Sequence, residues 1–315
     1  MSAEGGSGAT ELRVNAAADG SRVDLFVGRA LHLSRAKLKK LFEQGAVRID
    51  GRRAKKGDCL RPGQNVRVLL GSRSDAVIPE PGAPLAVLYQ DEALVFVDKP
   101  SGSPSHPLAP GELGTVANAL VARFPECAAA SAEPREAGLC HRLDTATSGV
   151  IVAARDRQTW ARMRQAFSRG EIDKRYLALV AGPIADQGEI ELPLRHRLSG
   201  AVGRVEPALP AQAGARPAKS SFRVVARAAD YALVEVRIHT GVLHQVRAHL
   251  AAIGAPVVGD ALYGGRPESD LGRFFLHARS LEIDHPRTLR RLKIQSPLPS
   301  ELAQLLARIG IRPAD

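Results

Sequence analysis

The stretch HRLDTATSGVIVAA, residues 141–154, decides how this chain is read. His141, Arg142 and Asp144 fall within four positions, a Thr-Ser-Gly turn follows, and then five apolar residues run from Val150 to Ala154 without alternation. That is the pattern of a polar loop feeding directly into a strand buried on both faces. Loops fixed at the head of a buried strand are common places for chemistry. Asp144 is the first candidate, because a carboxylate can act as nucleophile, general base or counterion and a nearby guanidinium favours its charged form. The same Arg-x-Asp pair also suits a plain structural ion pair, so its company must decide.

Downstream, Asp156 to Ser168 has the spacing of a helix, with Trp160, Met163 and Phe167 on one side. KRYLALV, 174–180, alternates so that Tyr176, Ala178 and Val180 share a strand face. Tyr176 is placed there either as a core tyrosine or as a flat wall with a hydroxyl able to exchange a proton. Residues 182–220 are rich in Pro and Gly, with broken strand patterns, and are expected to be flexible or inserted. A strand over Leu233–Ile238 then leads into a helix from about His244 to Ile253, stopped by Gly254. Its spacing turns Val246, Leu250 and Ile253 inward and leaves Gln245, Arg247 and His249 for polar work, with Arg247 available to a buried carboxylate. Upstream lie a strand at Leu94–Val97, the loop DKPSG and a helix over Thr115–Phe124. Strands and helices mix irregularly, without repeats. This predicts an α+β catalytic domain over 87–315, with a mixed, largely antiparallel sheet flanked by helices.

A chain of 315 residues has room for a second domain. The formal charge is +11, and residues 21–70 supply most of it, with thirteen Lys/Arg against four acids. So local an excess points to an acidic polymer as partner more than to a general compositional bias. Within it, a helix beginning after Ser34 and ending at Gly45 has the stripe Leu38, Leu41, Phe42 and an opposite face of Arg35, Lys37, Lys39 and Lys40. A hairpin at Asp50-Gly51 follows, carrying Arg52 and Arg53. Residues 21–70 are therefore expected to form a small, basic helix-plus-hairpin domain. Residues 1–20 read as a disordered tail and 71–86, with Pro79, Pro81 and Pro84, as a linker. No apolar run is long enough for a membrane helix and the first ten residues lack a signal pattern, so a cytoplasmic protein without membrane contact is expected. Cys59, Cys127 and Cys140 are too scattered for a disulfide framework. No C-x-x-C pair supports a metal site at Cys127, Cys140 and His141, and no G-x-S-x-G elbow supports a serine hydrolase.

Taken in order, DKPSGSPSHP, HRLDTATSG, KRYLALVAG, HQVRAHLAAIGAPVVGDALYGG and LHARSLEIDHP resemble the successive motifs of the RluA-type pseudouridine synthases over about residues 87–286. The segment from Arg22-Val23-Asp24 through the Ser-Arg helix to G-x-V-x-I-D-G resembles a small RNA-binding domain first known from a ribosomal small-subunit protein. The resemblance implies an isomerase that converts uridine in RNA to pseudouridine, with ribosomal RNA of the large subunit as first expectation and transfer RNA as second. It implies no cofactor and no metal, and a monomer is expected. It assigns Asp144 as the catalytic aspartate, Tyr176 as the aromatic residue against the target uracil, Arg247 as the partner of the aspartate, and Arg142 as the arginine that enters the RNA stack. Two positions depart from the usual pattern: Val242-Leu243 stand in place of Arg-Thr, and Thr145-Ala146 in place of Arg-Asp. Both bear on substrate choice more than on reaction type. The rival reading is a non-catalytic RNA-binding or ribosome-assembly factor on the same fold.

Overall fold

The computed structural model of the chain describes residues 9–43, 45–69, 76–199, 202–268 and 270–312, in two compact units, 1–75 and 76–315. The first unit is a four-stranded antiparallel sheet with two helices: β1 (Ala9–Arg13), α1 (Val23–Ala30), α2 (Arg35–Glu43), β2 (Val47–Ile49), β3 (Arg52–Arg53) and β4 (Asn65–Leu69), in sheet order β1-β4-β2-β3. Leu38, Leu41 and Phe42 of α2 bury against Val47, Ile49, Val66 and Val68. Asp50 and Gly51 both adopt positive φ, as the two-residue hairpin requires. The expected tail is corrected in part: residues 9–13 pair with β4 and Val14 is buried, because Leu12 and Val14 supply apolar surface to this core. Residues 1–8 lie outside the described residues.

The second unit is built on a nine-stranded sheet. Its elements in chain order are β5 (Ala86–Gln90), β6 (Leu94–Lys99), α3 (Val116–Arg123), β7 (Ser148–Ala154), α4 (Arg157–Arg169), β8 (Asp173–Ala181), β9 (Gln187–Glu191), β10 (Leu194–Ser199), β11 (Val202–Pro207), β12 (Ala215–Arg216), β13 (Lys219–Ala228), β14 (Tyr231–Ile238), α5 (Gln245–Ala252), β15 (Leu276–Asp284), β16 (Arg291–Gln295) and α6 (Ser300–Arg308). The sheet runs β5-β6-β7-β15-β8-β14-β13-β9, with β16 on β15; the β7–β15 contact is parallel and the other named pairs are antiparallel. The fold is α+β, as the irregular order of elements implied.

The unbroken apolar run after the opening loop is explained by two cores. Ile151 and Ala153 face the cluster that contains Leu120 of α3, Leu250 of α5 and Leu302 of α6, whereas Val150, Val152 and Ala154 face Met163 of α4. Alternate side chains of one strand thus serve opposite faces, and both must be apolar.

Two expectations are revised here. Residues 76–86 do not behave as a free linker: Val77 is buried in the larger core and the Asn118 side chain donates to the Ile78 carbonyl (2.8 Å), while 71–75 lie outside the described residues. The region 182–220, expected to be flexible or inserted, takes regular structure over its described residues, 182–199 and 202–220. Its β9 extends the main sheet, and β11-β10-β12 form a small sheet whose Leu194, Val205 and Ala218 pack on Val242 and Ala248. The short apolar stretches that looked like broken strands find their partners in another part of the chain.

Candidate active site

The loop 143–147 is held by the segment that follows β6. Lys99, fully buried, donates from Nζ to the carbonyls of Pro100 (2.8 Å), Ser103 (2.7 Å) and Thr145 (2.9 Å). Burial, with some help from the Arg273 charge, pushes this ammonium down to about 7, and Asp144 opposes the shift. Gly102 N–H also donates to Thr145 O (2.9 Å), Ser101 Oγ to Ala146 O (3.0 Å), and Ser105 Oγ both accepts from Leu143 N–H (3.0 Å) and donates to Leu143 O (2.9 Å). Both flanks of Asp144 are therefore bonded to one distant segment. At the exit of the loop, Gly149 has φ +119° and a Cβ there would stand 2.2 Å from the Ala278 carbonyl, so the close parallel approach of β7 and β15 demands glycine.

Asp144 meets Arg247, from the middle of α5, at 3.0 Å between Oδ2 and Nη1. Arg247 is nearly buried and is gripped from behind by Asp260, with Nε to Oδ2 at 2.6 Å and Nη2 to Oδ1 at 2.9 Å. Its guanidinium also lies 4.2 Å from the ring centre of Phe274 and 5.0 Å from that of Tyr263. The cation is thus fixed in orientation, with one prong left for Asp144. His244 Nε2 stands 3.8 Å from the same Asp144 oxygen, and its Nδ1 is 3.1 Å from the Tyr263 hydroxyl. Burial lowers the His244 pKa, against the pull of Asp144, and favours a neutral ring.

Of the two arginines the sequence offered to Asp144, it is Arg247, the partner that the resemblance assigned, that makes the contact, about a hundred residues on, while the adjacent Arg142 is exposed on the cleft wall. His141 is structural. Its Nε2 accepts from Val152 N–H (3.2 Å), its ring packs 4.8 Å from Phe167, and burial together with Lys174 and Arg164 lowers its pKa to about 3.

Asp144, Arg247, Tyr176 and Arg142 all line one cleft of about 1080 Å³. Tyr176 presents little surface, and burial, reinforced by the charge of Asp144, raises its pKa and keeps the phenol protonated. Lys174 adds a cation to the same wall. It donates to Thr240 O (2.8 Å), and burial lowers it to about 8. The arrangement offers an aimed carboxylate, a flat neutral wall and a positive surround.

In the 1–75 unit, Arg35, Lys37 and Lys39 are exposed on α2, with Lys39 3.7 Å from Glu43. The Lys40 side chain lies outside the described residues. Arg52 pairs with Asp58 at 3.0 Å, and Arg53 donates to the Glu43 and Phe42 carbonyls (2.9 and 3.4 Å), closing the end of α2. In α5, Val246 and Leu250 point inward as expected but Ile253, at the helix end, does not; Gln245 and His249 are buried and bond the start of β13 at Lys219 and Ser220. Asp260, His244 and Tyr263 were missed by sequence reasoning. The signal available for Asp260 was a lone acid in the otherwise apolar and Gly-rich run VVGDALYGG.

The profile of a family described as RNA pseudouridylate synthase matches residues 93–252. A ribosomal large subunit pseudouridine synthase D from Xanthomonas campestris is 33% identical over 310 residues, covering 93% of this chain and 90% of that protein. An uncharacterised RNA pseudouridine synthase from Chloroflexus aurantiacus is 36% identical, covering 92% of this chain and 90% of its own length. Among solved structures, human RNA pseudouridylate synthase domain containing 4 superposes with a TM-score of 0.58 at 23% identity, over 73% of this chain and 95% of that one, a likeness of fold.

Proposed function

The chain belongs to the RNA pseudouridylate synthase family, and from that premise we propose that it isomerises uridine in large-subunit ribosomal RNA with Asp144 as the acting carboxylate. The reaction breaks the bond between ribose C1′ and uracil N1, turns the base, joins C1′ to C5, takes the proton from C5 and leaves N1 protonated in its place; it is redox-neutral. Asp144 assists the first break either by attacking C1′ or by taking the neighbouring sugar proton, and both routes need it ionised and aimed. The observation that carries this reading is the 3.0 Å contact from Arg247, itself locked by Asp260, inside a cleft walled by Tyr176.

Tyr176 holds the freed uracil and then handles the C5 proton. Burial, the larger cause, keeps its phenol protonated, and the neighbouring Asp144 adds to this, so the hydroxyl meets the reaction as a neutral group. Arg142, exposed at the rim, enters the vacated place in the RNA stack, offsetting the few kcal/mol lost when the base leaves it. Arg35, Lys37 and Lys39 of α2, with Lys40 next to them in sequence and Arg52 and Arg53 on β3, supply sequence-independent phosphate affinity. The ribosomal target follows the names of the relatives, and a cytoplasmic monomer is the state proposed for it; among the described residues no helix is long and apolar enough to cross a membrane.

The deciding experiment maps pseudouridine across total RNA in a strain lacking the gene and in the same strain complemented with wild type or Asp144→Asn. The wild type restores one or more large-subunit positions and the variant restores none. Restoration by Asp144→Asn removes Asp144 from the mechanism, and restoration only in transfer RNA reassigns the substrate.

A further inference from the structure

Helix α4 carries four arginines, Arg157, Arg162, Arg164 and Arg169, all exposed, and no acid. Thirteen residues at 1.5 Å each make it about 20 Å long. It is fastened to the sheet by Met163, with Trp160 and Phe167 beside it, and Arg164 adds one bond from Nη1 to the Cys140 carbonyl (3.1 Å), which leaves its other guanidinium nitrogens on the exposed surface.

The two ends of the helix lead to different places. At the C-terminal end Arg164, Phe167 and Arg169 form part of the wall of the cleft that contains Asp144. At the N-terminal end Arg162 Nη1 donates to the Pro286 carbonyl (2.7 Å) and Arg287 Nη2 to Asp156 Oδ2 (2.7 Å), which brings in the loop between β15 and β16. That loop is prearranged: His285 Nδ1 accepts from the N–H groups of Arg287 (3.2 Å) and Thr288 (3.0 Å). Leu289 is held at φ +58° with 77% of its surface exposed, and Arg290 is exposed next to it. Asp156, which caps α4, is the acid at this end, and Arg287 takes up its charge. At the other end Glu171 faces Arg169 at 3.7 Å, an exposed and therefore weak pair.

We propose that Arg169, Arg164, Arg162, Arg157 and Arg290 form a phosphate track that carries the RNA strand flanking the target uridine away from the cleft. The proposal rests on the uridine-isomerase reading above and adds to it the route of the substrate. Guanidinium groups suit phosphate because they offer paired donors in a fixed plane. A track of about 20 Å serves roughly five to six nucleotides at 3.4 Å per strand. The helical arginines fall in two pairs seven residues apart, Arg157 with Arg164 and Arg162 with Arg169, on two sides of the helix, and cations that run from the loop to a cleft that must hold a polyanion fit a backbone contact, with no acid along the helix to oppose the phosphates.

The test compares full-length wild type with Arg157→Gln/Arg162→Gln/Arg290→Gln, and with a control, Arg223→Gln/Arg227→Gln, on β13. The RNAs are a ribosomal stem-loop that the wild type modifies, with and without six extra nucleotides on each side. Wild type and control are expected to bind the longer RNA more tightly. The triple variant is expected to lose that preference, to show a KM raised tenfold or more at physiological salt, and to flatten the slope of log affinity against log salt by about two to three. Replacement of the same residues by Lys is expected to recover most of the slope. An unchanged slope with the long-RNA preference intact overturns the track. Should the wild type form pseudouridine in no RNA, the isomerase reading fails instead, and the binding slopes still decide whether the track exists.

Discussion

Asp260 holds Arg247 by two hydrogen bonds, 2.6 and 2.9 Å, and leaves Nη1 for Asp144. Asp260 is 1% exposed, so removal of its charge strands a buried guanidinium. Asp260→Asn is expected to lower stability by about 3–5 kcal/mol and kcat by more than tenfold, read by chemical denaturation and single-turnover assay. Arg247→Lys is expected to fail as well, because one ammonium cannot address two carboxylates in the plane of a guanidinium.

Tyr176 separates wall from proton carrier. Tyr176→Phe keeps the flat ring and removes only the hydroxyl, so KM is expected to change little while kcat falls by about a hundredfold or more, the usual range for a lost acid–base group. A kcat near wild type would leave the residue as a wall alone.

Gly149 reports on the seam between β7 and β15. Gly149→Ala places a methyl group against the Ala278 carbonyl and forces a positive φ on alanine, and the backbone strain alone is worth about 1–3 kcal/mol. A lowered melting temperature and poor soluble yield are expected, with activity lost in proportion.

His277 makes stability depend on pH. Fully buried between Ser148 Oγ (3.0 Å) and the Ser296 carbonyl (3.3 Å), it has its pKa lowered to about 4, chiefly by burial. Between pH 6.5 and 4 the unfolded chain binds the proton and the folded chain does not, so stability rises with pH through this window and is lost as pH falls through it. The loss is on the order of 3 kcal/mol, and His141 adds to it in the same direction. Urea unfolding at pH 7 and pH 4 measures it, and His277→Gln is expected to flatten the slope.

The exposed face of α2 is tested by Arg35→Gln/Lys37→Gln/Lys39→Gln. RNA affinity is expected to fall for all sequences alike, with the salt slope reduced by about two to three and kcat at saturating RNA reduced less than affinity.

Much of this was legible in the sequence because it is local. The five apolar residues after Gly149, the Ser34 and Asp156 helix starts and the Asp50-Gly51 turn each act over a few residues, and each appears where its pattern placed it. An insertion over 182–220 was one reading of the sequence, but its packing was not legible, since Leu194 and Val205 are buried by Val242 and Ala248, which no local window contains. The counterion of Asp144 came from the resemblance, which assigned Arg247, and from no local pattern. The nearest arginine in sequence, Arg142, faces the cleft rim, and the true contact spans 103 positions. Asp260 went unseen for the same reason: its task is visible only once α5 and the segment after it are packed together.

The stitching of residues 143–146 to Lys99, Ser101, Gly102 and Ser105 has a further consequence for choice of target. An anvil so firmly mounted does not reach for its workpiece, so the bending falls to the nucleic acid. Among candidate uridines of equal chemistry, those in helices that open at least cost are expected to be turned over first, which would make the mechanical softness of the RNA part of the address.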